Sequence, residues 1–221
     1  MKQATSLKNP SRTVCAVLAA AALAAGLSAC APLVVGGAVV GGVMAVDRRT
    51  AGTQIEDEGI ELRAANRIRE ALGDRAHVNV TSYNRQALLT GEVPSDQDRQ
   101  AVERIVSQVE NVRSVVNDLA VMPSSTLSQR SNDTFITGKV RASLVDAQDL
   151  LASSFKVVTE RNIVYLMGRV SQREASRATE VARGVSGVSK VVRVFEIVPE
   201  EELRRAAPPA PVTTDTKPAG G

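Results

Sequence analysis

Apolar residues at Ile60, Ala64, Ile68 and Leu72 recur every four positions, which places them on one side of a predicted α-helix. Gly73 can end that helix in a left-handed conformation. Two alternating β-rich runs follow at about 77–83 and 87–93, and Asn84-Arg85-Gln86 between them predicts a hairpin. Ser95, with Asp98 three residues later, suits the capped start of a second helix with Ala101, Val102, Ile105, Val106 and Val109 on its apolar side. A strand over about 112–121 closes a unit of α-β-β-α-β order.

The pattern then repeats about 76–77 residues further on. Leu88-Leu89-Thr90-Gly91-Glu92-Val93 lines up with Tyr165-Leu166-Met167-Gly168-Arg169-Val170, and Val112-Arg113-Ser114-Val115-Val116 with Val188-Ser189-Lys190-Val191-Val192. The second unit reads as a helix over about 133–147, strands at about 155–159 and 163–170, a helix opened by Ser171-x-x-Glu174, and a strand over about 188–198. The predicted fold is α+β, in two tandem copies over residues 55–122 and 132–199 with a linker at 123–131. In each copy two helices pack on a three-stranded mixed sheet. About 65 residues is small for a free-standing core, so the copies are expected to pack together.

The flanks are of another kind. Lys2, Lys8 and Arg12 precede an apolar run from Val14 to Leu27, too short to cross a hydrocarbon core of about 30 Å but suited to a signal peptide over residues 1–29. Leu27-Ser28-Ala29-Cys30 resembles the bacterial lipobox, in which the cysteine thiol is acylated with diacylglycerol and becomes the new N-terminus. That resemblance implies lipidation at Cys30, and Ala31 in place of Asp favours the outer membrane over the inner; a plain secretory signal with an incidental cysteine is the alternative. Residues 30–54 hold a Gly/Val-rich stretch read as a membrane-proximal tether, with a second membrane span as the other reading. Residues 200–221 turn Glu-rich and then Pro/Ala-rich, the composition of a disordered tail.

Composition narrows the function classes. The chain has 27 basic and 24 acidic residues, but loss of Lys2, Lys8 and Arg12 with the signal leaves 24 of each sign, so no general affinity for nucleic acid is expected. Aromatic residues are 2% of the chain and tryptophan is absent, so the cores are aliphatic. His77 is the single histidine, with no cysteine or second histidine near it in sequence to make a metal set, and an ordinary structural role is expected. Asp96, Asp98 and the run Glu56-Asp57-Glu58 suit capping and helix-dipole complementarity. Gly91 and Gly168 lie inside strands, where a bulge or close packing accounts for them. No catalytic residue and no cofactor is expected, and the chain reads as non-enzymatic.

The α-β-β-α-β order, the Leu-x-Gly-x-Val hairpin strand and the Gly-Val-x-x-Val-Val final strand resemble the BON domain. With the lipobox and the tether, the chain is similar to the dual-BON outer-membrane lipoproteins of the DolP type, which have OsmY as a soluble periplasmic relative. Ser131-Asn132-Asp133-Thr134-Phe135-Ile136-Thr137 is the most specific local match, although Phe135 stands where such proteins can carry tryptophan. The resemblance implies a lipid-anchored outer-membrane protein facing the periplasm. It also implies binding of anionic phospholipid of the phosphatidylglycerol or cardiolipin type, support of envelope integrity, and a place at division sites.

Charge and one helix suggest where such binding would lie. The first copy carries 12 acidic and 8 basic side chains and the second 7 acidic and 10 basic, so an anionic surface would repel one and attract the other. At 100° per residue, Ile136, Val140, Leu144 and Ala147 face the core, while Phe135 lies beside Lys139 and Ala142 with Gly138 close by. The candidate phospholipid contacts are Phe135, Ile136, Lys139 and Arg141, with Arg173 and Arg177 as further basic contributors and helix N–H groups near Asn132–Thr134 for a phosphate oxygen. Packing of Phe135 against the other copy is the competing placement. A protein-interaction adaptor for an envelope assembly or peptidoglycan-remodelling complex, using the acidic first copy or the tail, is the competing function.

Overall fold

The computed structural model describes residues 47–206. The proposed signal peptide, Cys30, most of the tether and the end of the tail lie outside them. Helix α1 spans Ala51–Leu72 and is followed by β1 (His77–Tyr83), β2 (Gln86–Val93), α2 (Asp96–Ser107), β3 (Ser114–Asn117) and β4 (Ala120–Val121). The second copy comprises α3 (Leu127–Asp146), β5 (Lys156–Glu160), β6 (Ile163–Val170), α4 (Gln172–Arg183) and β7 (Lys190–Ile197), and α5 (Glu200–Ala206) follows it. In each sheet an antiparallel hairpin is extended by a parallel final strand beside its second member.

Four boundaries differ from expectation, each for a local reason. Helix α1 begins inside the expected tether because the Thr50 side chain accepts from the Thr53 N–H. Helix α3 begins inside the expected linker, where Thr126 and Gln129 form a reciprocal capping box. Asn132–Thr134 therefore sit in its second turn, with backbone N–H groups committed to the helix, and offer no N-terminal anion site. The single strand expected over 112–121 is broken at Asp118-Leu119 into β3 and β4, both paired with β2. Residues 200–206, assigned to the tail, are helical, with three glutamates in the first turn and Arg204 and Arg205 in the last, as the helix dipole favours.

The central strands explain the close fit of the two copies. Ala87, Leu89 and Val93 of β2 face α1 and α2 and meet Ile60, Ala64, Ile68, Val102 and Val106. Leu166 and Val170 of β6 likewise face α3 and α4 and meet Ile136, Val140, Leu144 and Ala178. The alternate residues point the other way, and Leu88 and Tyr83 of the first copy close on Tyr165, Met167 and Val194 of the second. The helix-free faces of the two sheets thus pack on each other, leaving β2 and β6 buried on both sides. Gly91 and Gly168 are close-approach positions: a Cβ at Gly91 would lie 2.0 Å from the His77 carbonyl, and one at Gly168 2.5 Å from that of Ser154.

Both hairpins turn through two residues at positive φ, Asn84 (50°) and Arg85 (66°) in the first copy, Arg161 (53°) and Asn162 (61°) in the second. That is the mirror-image turn that follows the strand twist, made here without glycine. A buried aspartate from the first helix of each copy holds it. Asp57 accepts from the Asn84 and Arg85 N–H groups at 2.8 and 2.7 Å, and Asp133 from those of Arg161 and Asn162, both at 2.8 Å. Asp57 is therefore not a capping residue; it also accepts from Ser82 Oγ at 2.7 Å and pairs with Arg49 at 2.8 Å. Burial pushes its carboxyl up, but the Arg85 N–H, the Ser82 hydroxyl, Arg49 and the Asn84 N–H outweigh that and leave it below the usual range.

A carboxyl that ionises more readily folded than unfolded stabilises the fold above the unfolded value, roughly pH 4, and loses that stabilisation as pH falls through the lower folded one. Asp57→Ala is expected to cost about 3–5 kcal/mol at pH 7, because it leaves the Ser82 hydroxyl and two turn N–H groups without their acceptor and Arg49 with Asp47 as its remaining carboxylate. Urea denaturation of the full chain in mild detergent at pH 7 and pH 3 measures this. The gap between parent and variant should narrow at the lower pH; a gap that is the same at both would remove the ionised clamp.

Candidate functional site

The core side of α3 is fixed by Ile136 (1% exposed), Val140 and Leu144, so the opposite side of the helix faces solvent. Leu127, Phe135 and Val145 stand out there as exposed large apolar side chains, Phe135 at 66%. Small exposed residues, Ser131, Gly138 and Ala142, separate them. Phe135 therefore does not pack against the first copy. Lys139 Nζ sits 5.0 Å from the Phe135 ring centroid and donates to the Ser186 carbonyl and, at 3.0 Å, to Ser186 Oγ. Arg141 Nη2 donates to the Val157 carbonyl at 3.3 Å. These cations lean on neutral oxygens, which leaves their charge available to an anion.

The remaining sequence candidates fall elsewhere. Ile136 belongs to the second-copy core and is removed from the contact face, because one residue along a helix turns a side chain by 100°. Arg173 and Arg177 project from α4, where Arg173 reaches Glu200 at 3.4 Å and Arg177 reaches Asp149 at 3.0 Å. Of the basic candidates, Lys139 and Arg141 share α3 with Phe135. The first copy has Gly59 at the position of Phe135, yet it exposes Ile55 (70%) and Leu62 (65%) on α1, a feature that attention to aromatics alone misses. Its surroundings are acidic, with Glu56, Glu58 and Glu61 on the same helix.

The charge difference between the copies is partly spent at their contact. Lys156 pairs with Glu61 at 2.6 Å and Arg161 with Glu92 at 3.3 Å, each a second-copy cation on a first-copy carboxylate. In the opposite sense Arg113 pairs with Glu196 at 3.0 Å. His77 belongs to this region as well, with Nδ1 3.0 Å from Glu92 Oε2. Glu160 of the second copy approaches the same place and accepts from Asn79 Nδ2 at 2.8 Å. Burial raises the Glu92 carboxyl, but the Ser125 N–H, His77 and Arg161 outweigh it and the net shift is downward. Glu160 goes up, because burial and the charges of Glu92 and Asp133 exceed the help from Asn79 and His77. Sequence reading missed this group: Glu92 faces His77 only through hairpin register, and Glu160 arrives from the other copy.

Among the described residues, no helix is long and apolar enough to cross a membrane. The molecule is a sheet-to-sheet pair of α+β copies that presents one apolar, cation-flanked helix face. Residues 60–123 and 132–199 each match the BON domain, and the chain belongs to the BON-domain family. It is 36% identical over 172 residues to the outer membrane lipoprotein DolP of Haemophilus influenzae, covering 77% of this chain and 89% of that one. A 21 kDa hemolysin of Actinobacillus pleuropneumoniae is 36% identical over 155 residues, or 69% and 80% of the two chains. Osmotically-inducible protein Y of Escherichia coli is 43% identical over 61 residues, or 27% and 30%. The resemblance read from the hairpin and final-strand motifs is thereby confirmed.

The opposite placements of two adjacent residues are open to measurement. Ile136→Ala should cost about 2–5 kcal/mol of stability, whereas Phe135→Ala should change it by less than about 0.5 kcal/mol. Urea denaturation followed by circular dichroism distinguishes them, and equal losses would mean that Phe135 is a packing residue.

Proposed function

We propose that this chain is a non-enzymatic outer-membrane lipoprotein, anchored through acylated Cys30 and facing the periplasm, whose second BON copy binds anionic phospholipid through Phe135, Lys139 and Arg141. The observation that carries the reading is the two-thirds-exposed phenyl ring of Phe135, with an ammonium over its face and small side chains around it. Holding such a ring in water is unfavourable, and a headgroup layer relieves this while Lys139 and Arg141 meet phosphate. Phosphatidylglycerol or cardiolipin supplies that charge. Support of envelope integrity, including at division sites, is the role we assign to this binding, and the outer-membrane relative from Haemophilus influenzae supports the location.

Sedimentation with phosphatidylglycerol-containing vesicles at two ionic strengths tests the face. Phe135→Ala should weaken binding roughly 10- to 100-fold at both, from the loss of about 1.5–3 kcal/mol of apolar burial. Phe135→Glu should abolish it, and Arg141→Glu should weaken it most at low salt, where the Debye length is longest. Parent-like binding by a folded Phe135→Glu variant would refute the face. In cells, Cys30→Ser should release the protein from washed outer membranes, because one shallow helix contact holds far less firmly than covalent acyl chains.

A second reading is favoured by Ile55 and Leu62, which are exposed on the acidic first copy and suit a protein partner. In that adaptor role Leu62→Glu would disturb envelope function while leaving vesicle binding intact.

A further inference from the structure

We propose that His77, Glu92 and Glu160 form a divalent transition-metal site, suited to Zn²⁺, that ties the two BON copies together. Each residue offers one ligand atom, and the three atoms lie within 4.8 Å of one another. One imidazole nitrogen and two carboxylate oxygens make a common zinc donor set, in which tetrahedral ligand atoms stand about 3.3 Å apart around the ion. His77 Nδ1 and Glu92 Oε2 are already at 3.0 Å, so closure chiefly requires rotation of the Glu160 side chain. Ions that favour six to eight oxygen ligands, such as Ca²⁺, are poorly served by three donors of which one is nitrogen.

The surroundings are built for such an ion. Glu92 and Glu160 are buried, at 0% and 3% exposure. Arg161 pairs with Glu92 at 3.3 Å, whereas Glu160 makes no ion pair among the described residues, so a dication would supply the countercharge it lacks. Arg161 holds Glu92 by Oε1, the Ser125 N–H holds the Oε2 that faces His77, and Asn79 holds Glu160 by Oε2, so both carboxylates are oriented by neighbouring donors. Thr90 supplies an independent sign. It lies between Leu88 and Glu92 on the same face of β2, opposite Asn79 in register, and its buried Oγ1 has no hydrogen-bond partner. A water completing the zinc coordination would give that hydroxyl one.

The test uses the full chain in mild detergent, stripped with a chelator and titrated with zinc chloride. One zinc per chain should bind saturably, and zinc at about 100-fold excess over its Kd should raise the unfolding midpoint by roughly 5–10 °C. The same concentration of Mg²⁺ should leave it unchanged. His77→Ala and Glu160→Gln should both lose the bound zinc and the shift. Glu160→Gln keeps the side-chain volume and an acceptor for Asn79, so it reports on the site even if His77→Ala fails to fold. Absence of saturable zinc binding in the parent, or undiminished binding in Glu160→Gln, overturns the proposal. Glu160→Gln should sediment with vesicles like the parent, so this result and that for the Phe135 face stand or fall separately.

Discussion

Leu88, Tyr165, Met167 and Val194 close the gap between two sheets whose opposite faces are already covered by helices. Each copy alone would expose that apolar surface, and a unit of about 65 residues has little stability with which to tolerate it. Contact between the helix-free faces is therefore the constraint on which the rest depends. It makes β2 and β6 central in depth as well as in order, and it brings the ends of β1, β2 and β5 into one polar region. The final strand of the first copy is interrupted at Asp118-Leu119. Asp118, at the interruption between β3 and β4, accepts from the Tyr165 hydroxyl at 2.7 Å, a bond the buried phenol needs once it has left water.

Two copies of one pattern differ chiefly on their surfaces. The features they share concern backbone geometry: the aspartate in the first helix, the pair of turn residues at positive φ, and a glycine where two carbonyls come close. The features they do not share lie on surfaces. Gly59 answers Phe135, and glutamates surround the exposed aliphatics of α1 where Lys139 and Arg141 flank α3. Retaining the internal scaffold while altering exteriors lets one copy serve as a structural partner for the other.

Element order was legible in the sequence because period-four and period-two patterns survive in both units. Helix starts were less so, since Thr50 and Thr126 cap without an apolar run beside them to draw attention, and one missed cap displaced the supposed phosphate site into a helix interior. The off-core position of Phe135 followed from angular arithmetic alone, and the same arithmetic puts Ile136 inside. The polar cluster at the sheet contact was not legible. Asn79, His77 and Glu92 become neighbours through hairpin register, and Glu160 joins them only when the copies dock, a step no local pattern encodes. Net charge misled for a related reason, because Lys156 and Arg161 face the partner copy rather than solvent.

The connection between the copies is short: β4 ends at Val121, α3 begins at Leu127, and the Ser125 N–H within that span is held by Glu92 Oε2 at 3.0 Å. A five-residue strap secured at its fourth residue leaves little slack for one copy to swing against the other. The azimuth of Phe135 is consequently set by the packed pair as a whole. Under the proposed membrane contact, entry of that ring into a bilayer would dictate the attitude of the entire molecule and carry the acidic α1 to a defined height above the lipid. The exposed aliphatics of that helix would then be presented at a constant bearing, as on a mast whose rigging allows no rotation.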